Sequence, residues 1–242
     1  MGLSKNHLKL ITSLGQKKYR QKHKLFVVEG VKVVREFLNS EFDLHQLFCV
    51  NSEFEDVENV IQISEVELKK ASQLVNPNHV LAIFKIPDAV AIPSSGLMLA
   101  LDAVNDPGNL GTIIRLCDWF GISQVLCSLD TVDCYNPKVV QASMGSLTRI
   151  QLTYVDLPSY LKQMHLPVFI ADMNGENVYK TALPSEGILV MGNEANGVSE
   201  EVCKLANHVL SIPRFGNLQQ TESLNVATAT AILLSEFRRF NF

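Results

Sequence analysis

The chain has 242 residues, 47% hydrophobic and 19% charged, a composition typical of a protein that buries one or two cores. No apolar run approaches the roughly 20 residues that cross a bilayer, so we expect no membrane association and a cytosolic location. The five cysteines are never spaced as CxxC, which argues against a zinc site or a disulfide framework, and a net charge of −4 taken alone disfavours a nucleic-acid partner.

The charge is distributed unevenly along the chain. Residues 1–28 hold seven lysines and arginines and no acidic residue, so the remainder has 14 basic against 25 acidic residues, a net charge of −11. A basic leading arm on an acidic body favours a polyanion contact at one end of the protein. The alternative is that these basic residues lie on a solvated first helix and contact no polyanion.

The first third of the chain predicts a small α/β domain over residues 1–86. A short helix is expected at 4–15, followed by a polar stretch at 16–24. Short apolar runs and helical periods then predict strands at 25–28, 44–50, 57–63 and 80–86 and helices at 31–38 and 65–74. Residues 87–96, PDAVAIPSSG, show neither the apolar period of a helix nor that of a strand, and they are typical of a linker.

The remaining residues, 97–242, alternate apolar runs with helical stretches. The runs predict strands at 97–104, 124–129, 149–155, 168–173, 188–191 and 209–212. Such alternation indicates a mostly parallel sheet covered on both faces, with its ligand crevice beyond the carboxyl ends of the strands. We therefore expect function in the loops that follow these strands.

The first such loop is NDPGNLG at 105–111, a turn sequence ahead of a helix expected at 112–120. Arg115 lies opposite the apolar side of that helix, where it is free to face a substrate or a second chain. The alternative is that Arg115 is a solvated side chain without a specific partner, and that Asn105 only begins a turn.

Three further segments are candidates for the crevice. In GNEANG at 192–197, two glycines flank a carboxylate, which suits backbone wrapped around a ligand or a tight turn with an exposed Glu194. Ser223 is expected to cap a last helix at 226–240. The segment NPKVVQASMGS at 136–146 begins a helix with proline in its first turn and is expected to line the same crevice.

Read in order, NDPGNLGTIIR, NPKVVQASMGS, MGNEANG and IPRFGN with ESLNVATA resemble the motifs of the SpoU/TrmH family, ribose methyltransferases of the SPOUT superfamily. The resemblance spans about 60% of the chain, from Leu97 onwards. The leading domain, with FVVEGVKVVREFL, resembles the RNA-binding domain that precedes the catalytic domain in many members. The resemblance implies a mostly parallel α/β fold with a C-terminal trefoil knot, and an obligate homodimer.

The resemblance also implies a cofactor, S-adenosylmethionine, and a set of site residues. Gly192, Ile212 and Leu224 would contact the cofactor, with Asn193, Gly197 and Ser143 as neighbours. The residues around the methyl-accepting ribose would be Asn105, Arg115, Glu194, Ser223 and Asn225. We expect the substrate to be RNA, and the additional domain favours ribosomal over transfer RNA.

The family assigns the arginine at the position of Arg115 as proton acceptor, a difficult role for a guanidinium, which stays protonated in proteins. We hypothesise that Arg115 grips the adjacent RNA phosphate, while the phosphate, Ser223 and water share the removal of the proton. The sequence departs from the motifs of the family at two places. Six residues separate Gly216 from Ser223 where about three are expected, and Gln141 occupies a position at which family members often have arginine. The alternatives are a transfer-RNA ribose methyltransferase, a base methyltransferase of the superfamily, and a non-catalytic RNA-binding factor that retains the fold.

Overall fold

The computed structural model describes residues 2–88, 95–218 and 223–239. The chain divides into two compact units, Met1–Ala89 with Asp133–Thr148 and Val90–Val132 with Arg149–Phe242. Most of the expected linker, residues 89–94, lies outside the described residues. The division of the sequence into 1–86, 87–96 and 97–242 stays a prediction, and by its contacts the segment Asp133–Thr148 groups with the first unit.

The first unit is built on a four-stranded sheet in the order β1-β4-β2-β3. Its strands are Leu25–Glu29 (β1), Leu44–Cys49 (β2), Val60–Gln62 (β3) and Val80–Lys85 (β4). Its helices are Lys5–Ser13 (α1), Lys17–His23 (α2), Val31–Leu38 (α3), Glu65–Ala71 (α4) and Pro137–Ser143, which is numbered α6 in chain order. The element positions match the sequence-based expectations closely, apart from α2.

Both faces of this sheet are covered, which explains the continuous apolar run LFVV in β1. On one face, Leu25 and Val27 pack with Ile11 and Leu14 at the end of α1. On the other face, the Phe26 ring meets an aromatic cluster made by Phe37, Phe42, Phe84 and Tyr135. Tyr135 comes from the returning segment Asp133–Thr148, so that segment completes the core of the first unit.

The basic leading arm forms two helices, of which the sequence predicted only the first. Residues 17–23, expected to be a polar stretch, form α2, and Ile11, Leu14 and Arg20 are buried. The error arose because α2 has almost no apolar face: the buried residue at its centre is an arginine. Removing residues 1–24 would therefore delete part of a core rather than a dispensable extension.

Arg20 is 2% exposed, and its charge is matched within the first unit. Its Nε and Nη2 atoms donate to Asp133 Oδ2 at 2.8 and 2.5 Å, and Nη1 donates to the Leu14 carbonyl at 2.9 Å. The other carboxylate oxygen of Asp133 accepts from the Tyr135 amide at 3.1 Å. A buried ion pair of this kind holds only while both charges are present.

The second unit is built on a six-stranded sheet in the order β10-β8-β9-β5-β6-β7, and every neighbouring pair is parallel. Its strands are Leu97–Leu101 (β5), Gln124–Ser128 (β6), Gln151–Val155 (β7), Val168–Asn177 (β8), Gly187–Met191 (β9) and His208–Ser211 (β10). Its helices are Pro107–Phe120 (α5), Leu157–Leu161 (α7), Glu200–Cys203 (α8) and Val226–Arg238 (α9). The parallel sheet expected from the sequence is confirmed.

Helices cover both faces of the six-stranded sheet. Leu157, Leu161 and Val202 pack on one face, in a cluster with residues of β5, β6, β8 and β9. On the other face α5 packs against α9, and the Phe237 ring lies 5.2 Å from that of Phe169 in β8. Burial accounts for the apolar runs that made these strands visible in the sequence.

The first turns of two helices differ from expectation. Helix α5 begins at Pro107, not near residue 112, because the Asp106 side chain accepts from the Asn109 amide and proline suits a first helical position. Helix α9 begins at Val226 as expected, but its cap is Asn225 and not Ser223. Asn225 Oδ1 accepts from the Ala227 and Thr228 amides, so the proposed capping role of Ser223 is wrong.

Within the described ranges, no helix is both long and apolar enough to span a membrane. The same residues contain no group of three His, Cys, Asp or Glu side chains arranged to hold a metal ion. The five cysteines are free thiols, four buried and Cys203 exposed. Burial raises the pKa of the Cys117 thiol in α5, so this side chain stays neutral.

Replacing Asp133 with asparagine should destabilise the first unit by about 3–5 kcal/mol, because Arg20 would remain buried without an opposite charge. Urea denaturation followed by circular dichroism measures the change. The matched control is Asp43→Asn, which breaks an ion pair to Lys85 whose side chains are more than half exposed. This control should behave almost as wild type, since exposed pairs contribute little. Equal midpoints for the two variants would contradict the importance of the buried pair.

Candidate active site

The loop after β9 closes on itself. The Asn193 amide donates to the Gly197 carbonyl at 2.9 Å, and the Gly197 amide donates back to the Asn193 carbonyl at 2.8 Å. The Asn193 side chain fixes this loop: its Oδ1 accepts from the Ala195 amide at 2.9 Å, while its Nδ2 donates to the Ala103 carbonyl at 2.7 Å. Asn193 therefore ties the loop after β9 to the loop after the neighbouring strand β5.

Glycine is required at position 192 by the protein's own backbone. A Cβ atom there would lie 2.2 Å from the Gly197 carbonyl carbon and 2.3 Å from the Val198 nitrogen. Gly197 has a φ of +68°, in the left-handed region that glycine adopts without strain. The sequence left open a backbone wrapped around a ligand and a tight turn with an exposed Glu194. The described residues form the tight turn and Glu194 is exposed, while a ligand contact by the two glycines stays a prediction.

A cavity of about 1170 Å³ opens at the carboxyl edge of the sheet, beside this loop. Its walls come from the middle of β8, the loop after β9, the segment after β10 and the first half of α9. Among the predicted site residues, those lining the cavity are Gly192, Asn193, Glu194, Gly197, Ile212, Ser223 and Leu224. Five of the six predicted cofactor residues therefore lie around one cavity.

Ser143 is the sixth predicted cofactor residue, and it does not line this cavity. It belongs to α6 in the first unit, where it is fully buried and its hydroxyl donates to the Val140 carbonyl at 2.8 Å. The segment 136–146 expected to line the crevice is thus described with the first unit. A cofactor role for Ser143 stays a prediction.

Three side chains form a hydrogen-bonded chain beside the cavity. Asn225 Nδ2 donates to Asn109 Oδ1 at 2.8 Å, and Asn109 Nδ2 donates to Glu194 Oε1 at 2.6 Å. Asn109 thus uses both the oxygen and the nitrogen of its side-chain amide. Asn225 does so too, because its Oδ1 caps α9. The chain joins α9, α5 and the loop after β9, and it fixes the direction of the Glu194 carboxylate.

Asn109 was missed in the sequence, and Asn105 was chosen in its place. Asn105 is exposed and makes no hydrogen bond with other described residues, whereas Asn109 connects Glu194 to Asn225. The signal was available in the Asp-Pro pair: reading Asp106 as a cap and Pro107 as the first helical residue would have put Asn109 in the first turn of α5. A ribose contact by Asn105 stays a prediction.

Arg115 is exposed on α5, as expected from its position opposite the apolar residues. Within the described part of the chain its guanidinium group has no hydrogen-bond or ion-pair partner, and Arg115 does not line the cavity. Ser223 is exposed at the cavity rim, and residues 219–222, which precede it, lie outside the described residues. Arg115 is thus available to an external anion.

The cavity wall contributed by β8 was also missed. Strand β10 pairs with β8 in two registers, Val209 with Ile170 and Leu210 with Glu176, so residues 171–175 bulge out of the ladder. Gly175 permits this, since a Cβ atom there would lie 2.5 Å from the Val209 carbonyl oxygen. A glycine inside a strand often marks such a bulge, but Gly175 lies beyond the predicted strand 168–173, so the sequence did not give this signal.

Two models of known protein families match parts of this chain. Residues 96–235 match the model of the SpoU rRNA Methylase family, and residues 5–82 match the MRM3-like substrate binding domain. The chain belongs to the SpoU rRNA methylase family. Its match covers the whole parallel sheet and every residue of the candidate active site.

Relatives of this SpoU family member align over nearly its whole length. It is 31% identical to the 23S rRNA (guanosine(2553)-2'-O)-methyltransferase RlmP of Bacillus subtilis, over 93% of each chain. A Porphyromonas gingivalis structure described as belonging to the TrmH family of RNA methyltransferases is 39% identical, with a TM-score of 0.90 over 99% of both chains. An AdoMet-bound rRNA methyltransferase from Sinorhizobium meliloti is 29% identical, with a TM-score of 0.88 over 100% of this chain and 97% of that one.

Proposed function

We propose that this SpoU family member transfers a methyl group from S-adenosylmethionine to a ribose 2′-hydroxyl of ribosomal RNA. The single observation that carries the proposal is the chain Asn225–Asn109–Glu194 at the rim of a cavity of about 1170 Å³. The ribosomal substrate is supported by relatives such as RlmP, which aligns over both units, and by the match of residues 5–82 to a substrate-binding domain.

The cavity suits S-adenosylmethionine in size and chemistry. Small-molecule sites occupy about 300–1000 Å³ and combine apolar walls with a few polar groups. Here the backbone of 192–197 offers polar groups, while Leu210, Ile212 and Leu233 supply apolar walls. Gly192, Ile212 and Leu224 are the residues that we expect to hold the cofactor, which when bound supplies an electrophilic methyl group on a sulfonium.

Orientation of the ribose is the main task left to the protein, because the 2′-oxygen must attack the methyl group in line as it loses its proton. Glu194 is held by Asn109 at the cavity rim, so its carboxylate can accept a hydrogen bond from a ribose hydroxyl in a fixed direction. Ser223 adds an exposed hydroxyl group at the same rim. Arg115, exposed on α5, grips an RNA phosphate.

A trefoil knot near the C-terminus, a homodimer and a cytosolic location are further proposals. The knot is supported by the family resemblance. The homodimer is supported by Trp119, which is exposed one helical turn beyond Arg115 on α5, since an exposed tryptophan commonly marks a contact surface. A monomer mass in light scattering at micromolar concentration would contradict the dimer.

One assay decides between the candidate functions. The purified protein is incubated with methyl-labelled S-adenosylmethionine and separate pools of unmodified ribosomal and transfer RNA, and label is mapped by resistance to alkaline cleavage at the methylated position. Alkali-resistant label in ribosomal RNA supports the proposal. Label in transfer RNA indicates the other substrate, label without alkali resistance indicates a base methyltransferase, and no label in either pool indicates a non-catalytic RNA-binding factor.

Arg115→Lys should lose most of the methylation rate, about tenfold or more, because a lysine cannot make the two parallel hydrogen bonds of a guanidinium to phosphate. The measurement is single-turnover methyl transfer, with S-adenosylmethionine affinity from calorimetry as the control for an intact cavity. A variant that keeps most of its rate would argue against the two-bond grip.

Asn109→Ala should lower the rate of methyl transfer about 10- to 100-fold, because Glu194 and Asn225 lose their shared partner and a small misplacement of reacting groups is costly. The control is Thr112→Ala, which removes another exposed side chain from the same helix, one whose hydroxyl bonds only to the Gly108 carbonyl. A greater loss in Asn105→Ala than in Asn109→Ala would contradict this assignment and return the role to Asn105.

The exposed lysines of α2 should bind RNA. Replacing Lys17 and Lys18 with alanine should weaken binding and make the slope of log affinity against log salt shallower by about 1.5, since each phosphate contact contributes roughly 0.7–0.9. Lys69 and Lys70, adjacent exposed lysines on α4, are the matched pair and should leave the slope unchanged when replaced. Equal slopes for the two double variants would place the RNA elsewhere.

A further inference from the structure

Two aromatic side chains meet at the rim of the cavity, just beyond the ends of the paired strands β8 and β10. The rings of Tyr179 and Phe215 lie with centroids 6.4 Å apart and planes inclined by 36°. Phe215 also lines the cavity, in the segment that follows β10. It is 82% exposed, an unusual state for a phenylalanine of a folded protein.

The pair is supported by ordered secondary structure. Tyr179 lies in the 3-10 turn Val178–Lys180, where Val178 is buried and the Tyr179 amide donates to Asn177 Oδ1 at 3.0 Å. Asn177 ends β8 and is paired in register with Ser211, the last residue of β10. The segment carrying Phe215 therefore starts beside the turn that carries Tyr179.

A cationic side chain accompanies the rings. Arg214 directly precedes Phe215, lines the same cavity, and donates from Nη2 to Met173 Sδ at 2.8 Å. Aromatic rings alternating with basic groups are the usual platform for unpaired nucleotides, because every base has a face that stacks and every nucleotide carries a phosphate. The chemistry of the rim thus fits RNA rather than an apolar protein surface alone.

The geometry of a nucleotide connects this platform to the reaction. A base is attached to the ribose carbon adjacent to the one that carries the 2′-hydroxyl. A ribose that presents its 2′-oxygen to a cofactor in the cavity therefore leaves its base, or a neighbouring base, against the cavity rim. We propose that Phe215, backed by Tyr179, stacks on an unpaired base of the RNA substrate and so positions the target ribose. The proposal rests on the proposed function.

Leu218 provides the matched comparison. It lies three residues beyond Phe215, lines the same cavity and is equally exposed at 82%, but it offers no ring to a base. If the apolar rim were instead covered by a second copy of the chain, Leu218→Ala should disturb it as much as Phe215→Ala. A stacking role predicts that only the phenylalanine matters for RNA.

The test measures methyl transfer to an unmodified 23S rRNA transcript, with S-adenosylmethionine affinity and molar mass followed in parallel. Phe215→Ala should raise the KM for RNA roughly 5- to 100-fold, the range expected from loss of one stacked base, while Phe215→Trp restores it. Leu218→Ala should leave this KM near wild type, and all variants should keep the wild-type molar mass and cofactor affinity.

Several outcomes would overturn the inference. They are an unchanged KM in Phe215→Ala, an equal rise in Leu218→Ala, or a lowered molar mass in either variant. The last two would identify the rim as a contact between copies. If wild-type protein methylates none of the RNA pools, the proposed function itself fails, which is a distinct result.

Fluorescence gives a second readout that does not depend on activity. The chain has a single tryptophan, Trp119, so Phe215→Trp adds one reporter at the cavity rim. Addition of the 23S rRNA transcript should quench the added fluorescence beyond any change seen in wild type, because stacking on a base quenches an indole. Binding of RNA without added quenching would contradict the stacked arrangement.

Discussion

The candidate site depends on two stretches of backbone that touch at Gly192. No side chain fits between residue 192 and the peptide joining Gly197 to Val198, and the resulting closure determines where the rest of the loop lies. Once closed, the loop brings Asn193 to the Ala103 carbonyl and Glu194 to Asn109. A strand that merely ended in a flexible turn would leave the carboxylate without a defined direction.

The polar residues of the site divide into two groups with different tasks. Asn193, Asn109 and Asn225 each use both ends of the side-chain amide in hydrogen bonds that join loops and helices, so these side chains brace the site. A ribose contact by Asn225 and a cofactor contact by Asn193 stay predictions. Glu194, Ser223 and Arg115 keep exposed polar atoms that can reach a substrate. This division explains how a site made largely of loops can still be preorganised for a reaction that depends on alignment.

Much of the fold followed from the sequence because strands covered on both faces produce apolar runs, and each of the ten strands within the described residues lies close to a predicted position. Helix α2 was missed because its one buried residue, Arg20, is charged, and periodicity detects only apolar faces. Asn109 was overlooked, and the cap of α9 was assigned to Ser223 where Asn225 caps the helix, because the start of a helix is uncertain by a few residues in sequence-based prediction. The hydrogen bonds that link α5, α9 and the loop after β9 join residues up to 116 positions apart, which no local pattern contains.

The pairing of Arg20 with Asp133 has a consequence for synthesis of the protein. The two residues are separated by 113 positions, and Tyr135 completes the aromatic core around Phe26 from the same late segment. During translation the first unit can form its sheet early, but its arginine stays without a counter-charge until residues 133–148 have left the ribosome. By then much of the chain that forms the first strands of the methylase sheet has also emerged. We therefore expect this first unit, although it is first in sequence, to reach its final packing only when the second unit is already partly made.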